Sequence, residues 1–147
     1  MLAFVPIDGH NIAGVLALEP APEQADFIDT VEESLRKAAK RPSWKPYAIV
    51  NGAGKSIGFI VFGYGGGNEC GRTEIVTLLI DKFEQNKGCG KEAVRLAVEF
   101  LAREGLTRRI HLDYDPGNEA AKHIYAQAGF LERGLDDYGE MLMEKDI

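Results

Sequence analysis

Cysteine is scarce in this chain of 147 residues, and its two cysteines, Cys70 and Cys89, lie far apart with no C-x-x-C spacing and no histidine at ligand distance. A structural zinc site needs a full set of such ligands, so a zinc-built fold is excluded and the thiols are expected to stay reduced. His10, His111 and His123 share no metal spacing either, and no metal is expected. Long apolar runs are also missing: Ile57 to Phe62 is the longest, it contains Gly58, and a membrane helix needs about 20 residues. The opening M-L-A-F-V-P-I-D has no basic residues ahead of its apolar ones, so it does not read as a secretory signal, and the expected location is cytoplasmic. Positive charge does not prevail: 17 Lys and Arg stand against 23 Asp and Glu, for a net charge of −6. That balance excludes nucleic acid as a general partner and suits a cationic small molecule better.

What is present is an ordinary globular mixture, 45% apolar and 27% charged, with no repeat and no low-complexity linker. The expectation is one domain over residues 1–147. Leu2 to Ile7 reads as a strand and Asn11 to Leu18 as a short helix closed by Pro20 and Pro22. Pro22 can open a second helix, in which Phe27, Ile28, Val31 and Leu35 form a 3.6-period stripe and acids precede Arg36, Lys37 and Lys40. Tyr47 to Val50 and Ile57 to Phe62 flank N-G-A-G-K-S, which predicts a hairpin. The stretch from Gly63 to Gly71 is glycine-rich and is expected to be a mobile loop. Glu74 to Asp81 is the most strand-like segment, followed by a turn and a helix from about Gly90 to Arg103 that buries Ala93, Leu96, Ala97, Phe100 and Leu101. Ile110 to Tyr114, then a helix over Asn118 to Ala128, then strands from Leu131 and over Met141 to Lys145 complete a mixed α/β order.

Gly54-Lys55-Ser56 imitates the end of a phosphate-binding P-loop. Position 49, where that motif needs glycine, is Ile49, and a strand rather than a helix follows, so the segment is read as a hairpin turn. A better anion site lies at Leu78 to Lys91, L-L-I-D-K-F-E-Q-N-K-G-C-G-K, where a strand, a tight turn and a helix N-terminus occur in sequence. Gly88 and Gly90 let backbone N–H groups approach a ligand, the first-turn N–H groups lack internal partners, and Lys82, Lys87 and Lys91 add charge. Downstream, Asn118, Ala121, Tyr125 and Gly129-Phe130 recur as N-x-x-A-x-x-x-Y-x-x-x-G-F, with Ala121 and Tyr125 on one helix face.

In order and separation, these blocks resemble the GNAT superfamily of N-acetyltransferases. Q-N-K-G-C-G is similar to its pyrophosphate signature. The early L-x-L-E-P-A-P-E-Q-A-D-F-I, the I-G-F-I-V-F-G strand and the closing G-E-M-L-M-E look like bacterial spermidine or diamine acetyltransferases. Those enzymes often carry an aromatic and an arginine in the strand before L-I-D, where this chain has Glu74 and Thr77. The resemblance implies an α/β GNAT fold, with a mixed, mostly antiparallel central sheet, a splayed parallel pair and flanking helices. It implies acetyl-CoA as cosubstrate, with Leu78, Leu79 and Ile80 pairing the pantetheine arm. Gln85, Asn86, Lys87, Gly88, Cys89, Gly90 and Lys91 would surround the pyrophosphate, Asn118 would face the pantetheine or thioester, and Ala121 would leave room for the cofactor.

Tyr125 matches the family's tyrosine that protonates the departing thiolate, a task suited to a phenol. Glu74 is the candidate base and Asp81 its alternative, while Glu132, Asp136, Asp137 and Glu140 are acids suited to a polycation. Cys89 reads as a small filler, and Trp44 as loop packing or a wall of an amine pocket. The implied activity is acetyl transfer to a primary amine, a polyamine or diamine by preference, in a ternary complex. An amino acid, an antibiotic or a protein amine stays open as acceptor, as does a non-catalytic acyl-CoA-binding module. Many relatives are dimers, so a homodimer is part of the expectation.

Overall fold

The structure, a computed structural model, describes residues 1–65 and 72–147. Most of the glycine-rich stretch expected to be mobile, Cys70 included, lies outside the described residues. Strands β1 (Ala3–Pro6), β2 (Trp44–Val50), β3 (Ser56–Gly63), β4 (Glu74–Ile80), β5 (Arg109–Tyr114), β6 (Leu131–Leu135) and β7 (Met141–Asp146) form one sheet in the order β1-β2-β3-β4-β5-β7-β6. Neighbours pair antiparallel except β4 and β5, which run parallel. The helices are α1 (Ile12–Leu16), α2 (Val31–Ala39), α3 (Cys89–Glu104) and α4 (Glu119–Gln127).

Successive side chains of a strand point to opposite faces, and β3 buries both. Phe59 and Val61 pack with Val15 of α1 and Val31 of α2, while Ile60 and Phe62 pack with Ala93, Ala97 and Leu101 of α3. On the α3 side Phe62 stacks on Phe100 with ring centroids 5.2 Å apart, which ties the helix to the sheet. Each such side chain, fully buried, contributes about 1.5–3 kcal/mol of hydrophobic transfer, so both faces anchor the sheet firmly.

That anchoring makes the single weak seam informative. A parallel pair needs a long crossover, which α3 provides. Yet β4 and β5 pair in register only at Glu74↔His111, and the His111 N–H donates to the Thr73 carbonyl at 2.9 Å. β3 follows β4 much further, through Ile60↔Leu78 and Gly58↔Ile80. Past the Glu74–His111 pair, the β5-facing backbone edge of β4 therefore has no strand partner among the described residues. Those backbone groups are free to pair with another extended chain.

Helix α2 corrects the sequence reading. It starts at Val31, whereas Pro22 opens only a 3₁₀ turn over Pro22–Gln24, and Phe27 and Ile28 lie in the connection between the two. The reason is a capping box: the Thr30 side chain accepts the Glu33 N–H at 3.1 Å and the Glu33 carboxylate accepts the Thr30 N–H at 3.1 Å. The G-K-S turn joins β2 to β3 as expected, with the Asn51 side chain accepting the N–H groups of Ala53 and Lys55.

Candidate active site

Two hollows open on either side of the place where β4 leaves β5. The first, about 480 Å³, runs from Leu78 and Ile80 along Gln85, Asn86 and Gly88–Lys91 to Ile124 and Tyr125 of α4. Its floor is the N-terminus of α3. Gly88 is the N-cap, in the left-handed conformation with φ 77°, and being glycine it offers no side-chain cap. The N–H groups of Cys89, Gly90 and Lys91 thus have no acceptor within the helix, and the helix dipole makes this end positive. Gly90 is required for a different reason: a Cβ there would lie 3.0 Å from Ile124 Cδ1, so it lets α3 approach α4 closely.

The lysines are less free than the sequence implies. Lys87 pairs with Glu84 at 3.0 Å and Lys82 pairs with Glu19, whereas Lys91 at the helix start has no ion pair among the described residues. Gln85 uses its side chain to hold the β4 terminus, donating to the Ile80 carbonyl at 2.8 Å. Asn86 accepts φ 61°, a left-handed conformation that asparagine tolerates, and so completes the turn. Burial, followed by the charges of Glu84 and Glu92, raises the Cys89 thiol above its ordinary pKa, so it is not an activated thiolate.

The second hollow, about 280 Å³, is walled by the connection before α2 (Phe27, Asp29), by Ser34 of α2, by Asp113 of β5, and by Asn118 and Glu140. Trp44 lines it too, with the Arg41 guanidinium 4.7 Å above its ring. Leu78 and Tyr125 line both hollows and form their common wall. Tyr125 is 8% exposed and its ring meets Phe130 edge-on at 5.7 Å. Its hydroxyl makes no hydrogen bond among the described residues. Burial alone pushes its pKa well above that of an ordinary phenol, so it stays protonated at working pH.

Other expected site residues fall elsewhere. The Leu79 side chain is buried in the core against the α1–α2 face, as alternation along β4 dictates, which leaves untouched the backbone pairing expected of Leu78, Leu79 and Ile80. Ala121 packs toward the core and gives its N–H to Asn118, while Ala120 and Ile124 line the first hollow. Glu74 sits at the end of β4 where β5 is still paired and lines neither hollow. Burial raises its carboxyl pKa, and the negative charge of Asp113 adds to the effect. Asp81 accepts the Glu19 N–H at 3.0 Å and serves the turn. Ser34 and Asp113 escaped the sequence reading because alternation marks Asp113 only as polar, and nothing local shows that its side of β5 faces a cleft.

Among the described residues no cluster of His, Cys, Asp and Glu could hold a metal, and no helix is long and apolar enough to cross a membrane. A splayed parallel pair above an uncapped helix start is the architecture of an acyl-CoA-dependent transferase. The pattern of the acetyltransferase (GNAT) family runs through residues 12–130, and the chain belongs to that family. It is an acetyl-CoA-dependent N-acetyltransferase. The spermine/spermidine N(1)-acetyltransferase of Bacillus subtilis (strain 168) is 30% identical over 146 residues, 96% of this chain and 95% of that protein. The fold matches the aminoglycoside acetyltransferase AAC(6')-Ib in complex with coenzyme A, at TM-score 0.81 and 21% identity over 99% of this chain and 95% of that one. A GNAT-family acetyltransferase from Streptococcus pneumoniae matches at TM-score 0.69 and 23% identity over 100% of both chains.

Acetyl-CoA fits the first hollow on this chain's own features: unpaired backbone along β4, bare N–H groups at a positive helix end, and open space at Gly88, where a Cβ would meet nothing within 4 Å.

Proposed function

We propose that the enzyme acetylates a primary amine of a polyamine or diamine by direct attack within a ternary complex. The observation that carries this reading is the wall shared by the two hollows: Leu78 and Tyr125 border both, so a thioester in one and an amine in the other meet beside the tyrosine hydroxyl. The first hollow holds acetyl-CoA, with the α3 N–H groups and Lys91 at its pyrophosphate and the free edge of β4 along its pantetheine arm. The neutral amine attacks the thioester carbonyl, the C–S bond breaks, Tyr125 gives its proton to the departing sulfur, and the surplus proton on the new amide nitrogen leaves through water and restores the phenol. A buried neutral phenol is suited to that transfer, and general-acid help of this kind is worth about 10²–10⁴-fold.

The amine must first shed a proton. Glu74 lines neither hollow, so a base role for it runs through water and the Asp113 carboxylate, which faces the acceptor side. The polyamine class is supported by the carboxylates of the second hollow and by the spermine/spermidine acetyltransferase among the relatives. A cytoplasmic location and a homodimer remain part of this reading, checked by cell fractionation and sedimentation.

The test is mass detection of product after incubation with acetyl-CoA and a panel of spermidine, spermine, short diamines, amino acids, aminoglycosides and peptides. Acetylated polyamine or diamine is the expected product. Acetylation confined to another member of the panel overturns the acceptor class, and acetyl-CoA binding with no product at all favours a binding module.

A further inference from the structure

Acetyl transfer to one amino group leaves several polar groups of the acceptor hollow unused. Ser34, on the inner face of α2, is only 4% exposed, lines the hollow, and its hydroxyl makes no hydrogen bond among the described residues. With its side chain on the wall of the hollow, this hydroxyl is available to a donor on a ligand. From the sheet side come Asp113 of β5 and Glu140, which immediately precedes β7, its neighbouring strand. Asp136, whose carboxylate accepts the N–H groups of Tyr138 at 2.9 Å and Glu140 at 3.0 Å, is fixed beside Asp113 and Glu140 and adds to burial in raising the pKa of each. Like charges are thereby held together. After burial, the carboxylates of Asp113, Asp136 and Asp115 raise the Glu140 pKa, and burial and Asp136 raise that of Asp113. The cations nearby are Lys37, committed to Asp29 at 2.6 Å, and Arg72, whose charge partly offsets that of the Asp113 carboxylate.

We propose that Asp113 and Glu140, with the Ser34 hydroxyl contributed from α2, seat the second ammonium of a dicationic acceptor and make the enzyme prefer diamines to monoamines of equal length. This rests on the acceptor reading given above and assigns its selectivity to particular side chains. An ammonium there relieves carboxylate repulsion and supplies the Ser34 oxygen with a donor. The other amino group is then directed along the hollow toward Tyr125.

The experiment compares kcat/KM for 1,4-diaminobutane and 1-aminobutane at saturating acetyl-CoA. The enzymes are the wild type, Asp113→Asn, Glu140→Gln, Ser34→Ala and the surface control Glu32→Gln, with circular dichroism confirming that each is folded. The wild type is expected to favour the diamine by about tenfold or more, the scale of one charged hydrogen-bonded contact. That ratio is expected to fall several-fold in Asp113→Asn, Glu140→Gln and Ser34→Ala, through a higher diamine KM, and to persist in Glu32→Gln. Because Asp113 lies on β5 and Glu140 in the turn before β7, a folding defect in one variant leaves the other decisive. Equal kcat/KM for both amines in the wild type, or an undiminished ratio in the folded variants, overturns the seat while leaving amine acetylation intact. A wild type that acetylates neither amine nor spermidine, yet acetylates an aminoglycoside, overturns the acceptor reading and the seat together.

Discussion

Asn118 Oδ1 accepts the Ala121 N–H at 3.2 Å, so its side-chain carbonyl caps α4 while its amide nitrogen is left for the acceptor hollow. The two roles are separable by substitution. Asp is as good an N-cap as Asn and keeps the acceptor oxygen, but it has no N–H to donate. Asn118→Asp is expected to hold its melting temperature and lose kcat/KM, whereas Asn118→Ala loses both, the cap being worth about 0.5–2 kcal/mol. Thermal unfolding beside steady-state kinetics separates the cases. A drop in stability for Asn118→Asp equal to that of Asn118→Ala would contradict the division.

Tyr125→Phe removes one oxygen and keeps the ring that packs on Phe130. If the hydroxyl protonates the leaving thiolate, kcat falls by about 10²–10⁴-fold while acetyl-CoA affinity by calorimetry is unchanged. Burial holds the phenol protonated well beyond neutrality, so an alkaline fall in wild-type kcat near pH 8–9, roughly, belongs to another group. Unaltered kcat in the variant would remove Tyr125 from the mechanism.

How far the sequence alone reached follows from which signals are local. The hairpin at Asn51, the α3 start at Gly88 and the α4 cap at Asn118 were legible because each depends on a few adjacent residues. The start of α2 was misplaced although its signal was local too: the Phe27, Ile28, Val31, Leu35 stripe masked the Thr30–Glu33 box, and the structure sends Phe27 and Ile28 to the hollow instead. Glu74 was singled out from strand position alone. It lines neither hollow because it sits where β4 is still paired with β5, a long-range relation that strand position alone does not show. Asp113 and Ser34 line one hollow only because α2 and β5 border it, a long-range relation that no local pattern encodes.

Gly88 stands at φ 77°, and a Cβ there would project into open space at the mouth of the first hollow. Gly88→Val therefore carries two penalties: a left-handed backbone costing about 1–2 kcal/mol for a residue with a Cβ, and a branched side chain beside the α3 N–H groups. Gly88→Asn tolerates the backbone and keeps only the obstruction. Acetyl-CoA affinity is expected to fall in both and the melting temperature mainly in Gly88→Val. Full affinity in a folded Gly88→Val would move the pyrophosphate site away from this turn.

Thr30 governs the acceptor side at a distance, since its capping box fixes the helix that carries Ser34 and Lys37 to the hollow. Thr30→Ala is expected to cost about 1 kcal/mol, a melting shift of roughly 3 °C, and to raise the amine KM more than that of acetyl-CoA. The stability difference should depend on pH with a definite sign. The Thr30 N–H and side chain hold the Glu33 carboxyl below its ordinary value of 4.5. A carboxylate depressed on folding stabilises fully above its unfolded pKa and loses that contribution as pH falls through the folded one. Thr30→Ala keeps the backbone N–H that is the larger cause, so only the share of the depression due to the Thr30 side chain is lost. The wild-type advantage is greatest above about pH 5 and narrows modestly on acidification below 4.5, leaving the part due to the Thr30 oxygen as acceptor, which does not titrate. Thermal melts of both proteins across roughly pH 3–7 measure it, and a difference that widens on acidification would contradict the capping box as the origin of the effect.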